Sequence, residues 1–538
     1  MSRADPETLK VSGGPVNADA VGAETYATVY SIVESSRSKG TIWAGSDDGL
    51  VHLTRDGGAN WADITPPDMQ EWTMVTGIEL SPFDEGTAYL CGTRYKTDDY
   101  RPYLWTTRDY GATWSRIDRG LPEAEFTRVI RADPETPGLL YLGTELGVHV
   151  SFDDGASWQL LQLNLPVAPV FELLVKDGDL IAGTHGRSIW IMDDLTPIRT
   201  IAREGAPTEN RLIAPRHALR VMPGVDWSGA IPGSVNYFGG MGGGYEIERT
   251  PDGETRRILL DGGDNPPNGA VITYYLAKEP SEPITLAFAP ESKKTPVRTF
   301  TSRTTDDEPV AKELRIPAKA GWNRFIWNLT HPDPTKILGD DAAAQETVTG
   351  PYVAPGSYTA TLTVGKSKLS ATFDVVSPPE ATADAADLVA QEKLSLRISQ
   401  KVDDANRAVN RMRDLREQLG RWETRTKDAK STAMLATEAV SLTEKVRKIE
   451  ETLAVPELRP GWGDSINAGP RLIARMINIM GVVQMGDYPP TASAEAATRE
   501  LEILIDKHIA KFDKLVAKDI AAFAKKIEKA GLSAIVVL

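Results

Sequence analysis

Three aspartates recur in one local setting. Asp56 lies in TRDGGANW (Thr54 to Trp61), Asp109 in TRDYGATW (Thr107 to Trp114) and Asp153 in SFDDGASW (Ser151 to Trp158). Carboxylates can act as general acids, nucleophiles or metal ligands, but each task needs groups that converge on one point. One carboxylate per repeat unit is the opposite pattern, so a local role is expected. The aspartate accepts hydrogen bonds from N–H groups of its own turn. Gly58, Gly111 and Gly155 allow a positive φ. Trp61, Trp114 and Trp158 pack their rings against the sheet.

Other chemistry is sparse. Cys91 is the single cysteine, so no intrachain disulfide can form, and nothing beside it signals an activated thiol. The histidines at 52, 149, 185, 217, 331 and 508 show no metal-ligand spacing. A metal site is not expected. Neither a Gly-x-Ser-x-Gly elbow nor a phosphate loop occurs, and the glycine run Gly239 to Gly244 lacks a following Lys-Ser/Thr. No cofactor is implied. The chain holds 75 Asp and Glu, but no facing pair stands out, so no catalytic residue is assigned. The ligand-binding candidates are Arg94, Tyr95 and Tyr100 in the insert RYKTDDYRPY, Arg128 in FTRVIRA, and His185 and Arg187 in THGRS. They are chosen because loops on rigid scaffolds often carry function.

The elements that must position these residues also repeat. A β-rich run opens each unit: TYATVYSIV, EWTMVTGIEL, FTRVIRA and VFELLVK. An apolar run ending in Gly and a hydroxyl residue follows, as in TIWAGS and LYLGT, then a third run such as LVHLT or GVHVS. Short strands in such units predict propeller blades. Three units are complete, while the fourth has three strands and runs into Leu195-Thr196-Pro197. So few blades leave sheet edges open, which predicts that this is the C-terminal part of a propeller whose missing blades come from a partner chain, from self-association with an identical copy, or from a region upstream of this sequence.

Three regions are expected. Residues 1–197 form the partial propeller. Residues 198–380 begin with a linker at 198–208 and form an immunoglobulin- or fibronectin-like β-sandwich, with Trp322, Phe325 and Trp327 as core candidates and GSYTATLTV–KLSATFDVV as a hairpin. Residues 381–538 form an antiparallel helical bundle of four helices. Its first helix carries Leu394, Ile398, Val402, Ala405, Val409 and Met412 as one stripe, its last begins with Ser493 as N-cap, and Met476, Met480 and Met485 fill the core. The fold class is thus mainly β with an α-helical C-terminus.

The repeated octapeptide resembles the Asp-box, or bacterial neuraminidase repeat, of sialidases, xyloglucanases and sortilin-type receptors. Longer stretches, IWAGSDDGLVHLTRDGGANW and GTELGVHVSFDDGASWQLLQLNLP among them, resemble the C-terminal half of large bacterial proteins labelled glycosyl hydrolase or sortilin-like. The resemblance implies an exported, periplasmic or extracellular protein, and because no converging catalytic groups stand out, the expected function is that of a non-catalytic binding or scaffolding protein that engages a glycan, a peptide or a partner chain. The alternative it implies is a glycoside hydrolase whose cleft needs further blades. A sialidase-like site would gather three arginines, for which Arg94, Arg128 and Arg187 are the candidates.

Bulk properties exclude other classes. The net charge of -15 argues against binding to nucleic acid. No apolar run is long enough to span a membrane, and MSRADPETLK has no signal-peptide core.

Overall fold

The computed structural model describes residues 27–221, 235–237, 244–249, 255–259, 263, 266–293, 295–302, 314–338, 349–455 and 469–532. It divides into two compact units, Met1–Ile213 and Ala214–Leu538.

The first unit holds the blades. Blade 1 comprises β1 (Val29–Glu34), β2 (Ile42–Ser46), β3 (Val51–Thr54) and β4 (Ala62–Asp63). Blade 2 comprises β5 (Met74–Leu80), β6 (Ala88–Arg94), β7 (Asp99–Thr107) and β8 (Ser115–Arg116). Blade 3 comprises β9 (Thr127–Ala132), β10 (Leu140–Thr144), β11 (Val148–Ser151) and β12 (Gln159–Leu160). Blade 4 has β13 (Val170–Lys176), β14 (Asp179–Thr184) and β15 (Ile189–Met192). Each blade is an antiparallel meander with its strands in sequence order.

The blades are copies in register as well as in order. Ile32, Ile78, Ile130 and Leu173 pair with Ala44, Leu90, Leu142 and Ala182, and so occupy one equivalent position. Each first strand also skips one residue in its pairing: Tyr30, Thr76, Arg128 and Phe171. Apolar side chains fill the space between successive blades. Val51 and Leu53 of blade 1 cluster with Ile78 and Leu90 of blade 2. Tyr89 and Leu104 of blade 2 cluster with Ile130 and Leu142 of blade 3. Val148 and Val150 of blade 3 cluster with Leu173 and Ala182 of blade 4.

The expected linker after blade 4 is instead partly helical. Helix α1 (Thr196–Glu204) carries Pro197 in its first turn, where its missing N–H has no partner to lose. Its Ile198 joins the cluster between blades 3 and 4, and Arg199 donates to Asp133 at 2.9 Å.

In the second unit, the strands Ala270–Leu276 and Gly321–Trp327 pair along their length. A separate sheet runs, in order, through Ala218–Leu219, Ser367–Val376, Gly356–Val364, Thr285–Pro290 and Arg298–Thr301. Trp327 stacks on Phe288 at 4.3 Å and meets Tyr358 at 5.6 Å, while Phe325 meets Phe300 at 4.7 Å, so aromatic rings join the two layers. Trp322 departs from its expected core place. It points to the other face of its strand, 43% exposed against 0% for Trp327, and meets Tyr275 edge-on. The segment Gly239 to Gly243 lies outside the described residues.

The helices are α2 (Ala385–Thr426), α3 (Ala433–Leu453), α4 (Leu472–Val483), α5 (Ala492–Leu515) and α6 (Ala521–Lys529), the last two joined through a π-helical turn at Val516–Ile520. The expected stripe of α2 is buried throughout. The N-cap of α5 is Thr491 rather than Ser493, because the Thr491 hydroxyl accepts from the Ala494 N–H at 3.1 Å. Met476 and Met480 are core, but Met485 lies beyond the end of α4 and is 70% exposed. Arg220, fully buried just beyond Ala218–Leu219, ties that strand to the helices: it donates to the Val353 carbonyl at 2.9 Å and to Gln391 at 2.6 Å, and pairs with Asp487.

Candidate functional site

The Asp-box residues do local work. Asp153 accepts from the Ser151 hydroxyl (2.8 Å), the Ser157 N–H (2.8 Å) and the Ser157 hydroxyl (2.6 Å). Asp109 does the same with Thr107 and Thr113, and Asp56 with Thr54 and Asn60. Asn60 and Thr54 hold the Asp56 carboxyl down to about 2. Thr113 lowers that of Asp109, and at Asp153 the Ser157 and Ser151 bonds outweigh partial burial, which acts the other way. A carboxylate this firmly ionised is unsuited to donating a proton near neutrality.

Gly and Trp of the motif do something further: they reach the preceding blade. Trp114 Nε1 donates to the Ile64 carbonyl at 2.7 Å and Trp158 Nε1 to the Ile117 carbonyl at 2.6 Å. A Cβ at Gly111 or Gly155 would sit 2.8 Å from the side chain of Ile64 or Ile117, and both glycines have positive φ. The motif is therefore a blade-to-blade clasp as well as a turn.

All three motifs lie at one end of their blades, between the third and fourth strands. The ligand-binding candidates lie at the other end, where first strands begin and second strands turn into third. Here Arg128 and Phe171 are the skipped residues of β9 and β13. Such bulges re-aim a side chain out of the sheet's alternation. The Arg128 guanidinium lies 4.3 Å from the Phe171 ring, 4.7 Å from Phe126 and 5.1 Å from Tyr95. Tyr95 stacks on Phe126 at 5.2 Å, Tyr100 approaches Phe126 at 6.0 Å, and His185 lies 5.1 Å from Phe171. Glu145 accepts from Arg128 at 2.6 Å and balances its charge.

Tyr95, Tyr100, Arg128 and His185 thus meet across blades 2, 3 and 4. Phe126, Glu145 and Phe171 complete the group and were missed in the sequence. Nothing in composition marks them, although each sits beside an element boundary where a bulge or turn would aim it. Tyr100 is 47% and Phe171 43% exposed, which leaves ring faces open to solvent. Arg94 borders the group but is occupied: its Nε lies 3.5 Å from Asp99, and its Nη1 donates to the Glu71 carbonyl. Arg187 is exposed, and its carbonyl accepts from Trp190 Nε1 at 2.8 Å. The three arginines are thus engaged separately: Arg94 with Glu71 and Asp99, Arg128 with Glu145, and Arg187 through its carbonyl with Trp190.

Two further charged groups lie between blades. Glu125 and His149 bond at 2.9 Å, both buried, with Thr144 also donating to Glu125. Arg131 links three first strands. It lies 3.6 Å from Glu79, donates to the Leu173 carbonyl at 2.8 Å and pairs with Glu172. Burial pushes the Glu79 carboxyl up to about 7, with Arg131 and the Ala132 N–H opposing it. Among the described residues no group of His, Cys, Asp and Glu could hold a metal ion, and no helix is long and apolar enough to cross a membrane.

Repeated antiparallel blades clasped by Asp-box turns place the first unit among Asp-box-type propeller folds. No protein-family model matches the chain. A curated relative, the oligoxyloglucan-reducing end-specific xyloglucanase of Emericella nidulans, is 27% identical over 125 residues, 23% of this chain and 15% of that protein. The chain therefore matches under a sixth of that relative's length. Among solved structures, YCF48 bound to D1 peptide is similar over 46% of this chain and 66% of that one, with 17% identity and a TM-score of 0.23. The GH74 xyloglucanase from Xanthomonas campestris is similar over 68% of this chain and 47% of that one, with 15% identity and a TM-score of 0.25.

Proposed function

We propose that this protein is a non-catalytic binding scaffold whose loop end, opposite the Asp-boxes, takes a glycan or peptide ligand. The observation that carries this reading is the set of part-exposed rings, Tyr95, Tyr100 and Phe171, gathered around Arg128. Flat ring faces suit sugar rings and apolar side chains alike. Because Glu145 already balances Arg128 at the centre of the group, a ligand without strong negative charge fits best. The resemblance to exported Asp-box proteins supports a periplasmic or extracellular setting.

Titration calorimetry against neutral xyloglucan oligosaccharides and a peptide panel tests this. Tyr100→Ala and Phe171→Ala should each weaken binding by about 1–3 kcal/mol if their rings are anchors. Binding unchanged in both variants would overturn the reading.

A second reading is a glycoside hydrolase. The xyloglucanase match supports it, and so does Glu79, since a carboxyl with a raised pKa suits a general acid. Against it, Glu79 is engaged by Arg131 and the Ala132 N–H between packed strands. Turnover of a chromogenic glycoside that Glu79→Gln abolishes would favour the enzyme.

A further inference from the structure

The equivalent positions of the four blades differ sharply in exposure at the two ends of the row. Ile78, Ile130 and Leu173 face the preceding blade and are 4%, 0% and 0% exposed, whereas Ile32 is 68% exposed. Val29 and Tyr30 beside it are exposed as well. The clasp shows the same vacancy: a Cβ at Gly58 would meet only Trp61 of its own motif, where Gly111 and Gly155 abut Ile64 and Ile117 of the preceding blade. At the other end, Ile189 and Ile191 of blade 4 correspond to Val148 and Val150 of blade 3, because they pair with Gly183 and Ile181 as those pair with Gly143 and Tyr141. The valines are each 3% exposed, while Ile189 is 69% and Ile191 57% exposed. Leu174 adds to the same open face at 47%.

We propose that two copies of this chain close one ring, the front face of blade 1 in each copy seated on the back face of blade 4 in the other. The three internal junctions are all back-to-front contacts of one kind, and among the described residues the row of blades has one uncovered face of each kind. A second copy satisfies both faces at once. Two rows of four blades make a ring of eight, within the usual range of propellers. Such a head-to-tail contact forms a closed pair instead of a filament when the rotation per copy is half a turn. The proposal is independent of the ligand reading.

Sedimentation velocity and light scattering over a range of concentrations test it. The expected mass is twice the 58.5 kDa of the chain. Ile32→Asp and Ile191→Asp should each weaken the pair by more than about tenfold, because each spoils both junctions of the closed ring. Both residues are exposed in the single chain, so unchanged circular dichroism, and unchanged melting at dilutions where the parent is monomeric, should confirm that each variant folds. A monomer at every concentration would overturn the proposal, as would a pair indifferent to either substitution or a series of open polymers.

Discussion

The repeated isoleucine position offers a controlled comparison within one molecule. Ile130→Ala and Ile32→Ala delete the same atoms from the same place in two blades. Ile130 is 0% exposed among Tyr89, Cys91, Leu104 and Leu142, so truncation removes buried methyl groups and leaves a cavity. Such changes cost about 2–5 kcal/mol. Ile32 is 68% exposed, and truncating an exposed side chain costs about 0.5 kcal/mol or less. The two variants should therefore differ by about 2–4 kcal/mol in dilute, monomeric protein. Global unfolding is a poor readout, since two units need not unfold together. Native-state hydrogen exchange at the amides of β2 and β10, resolved by mass spectrometry, reports each blade by itself. Raising the protein concentration should then make Ile32→Ala costly too, as the face becomes covered. Equal costs in dilute protein would refute the equivalence of the blades or the openness of the first face.

Two other outcomes follow from the electrostatics. Glu79, raised from 4.5 to about 7 by burial, binds its proton more tightly folded than unfolded. The resulting stability is fully present below pH 4.5 and is lost as pH rises through about 7, an upper bound of about 3 kcal/mol. Glu79→Gln should abolish that loss, measured as amide exchange of β5 and β9 in the variant and the parent from pH 4 to pH 8 after correction for intrinsic exchange rates, whereas parallel profiles would refute the assignment. For the Asp-box, Asp153→Ala should speed amide exchange several-fold in the β11–β12 turn, with Asp153→Asn partly restoring protection through its remaining acceptor. Ligand affinity should stay unchanged in both, as calorimetry would show, and a loss of affinity without local opening would return Asp153 to the site.

The local pattern made much of the fold legible. Alternating runs and the Thr-x-Asp-x-Gly-x-x-Trp turn are short-range features, so blades 1 to 3, the unfinished fourth and the stripe on α2 could be found from sequence. The linker at 198–208 was misjudged because the apolar side of α1 shows its use only against blades 3 and 4. Trp322 was misplaced because strand alternation separates two faces but does not say which is inside. Ser493 lost the cap to Thr491 through a choice two residues wide, which hydrogen-bond geometry alone settles.

By itself, the sequence determined the repeat, and with it the demotion of Asp56, Asp109 and Asp153 from chemistry to turn formation. That follows from a bond network that closes within four residues. Tertiary structure decided what the repeats are next to. The skipped residues Arg128 and Phe171 are aimed at Tyr95 and His185 because three blades pack side by side, which no single segment encodes. The same packing buries Ile78, Ile130 and Leu173 and leaves Ile32 open, although all four residues look alike in the sequence. Burial depends on the neighbouring blade, and the first blade has none among the described residues.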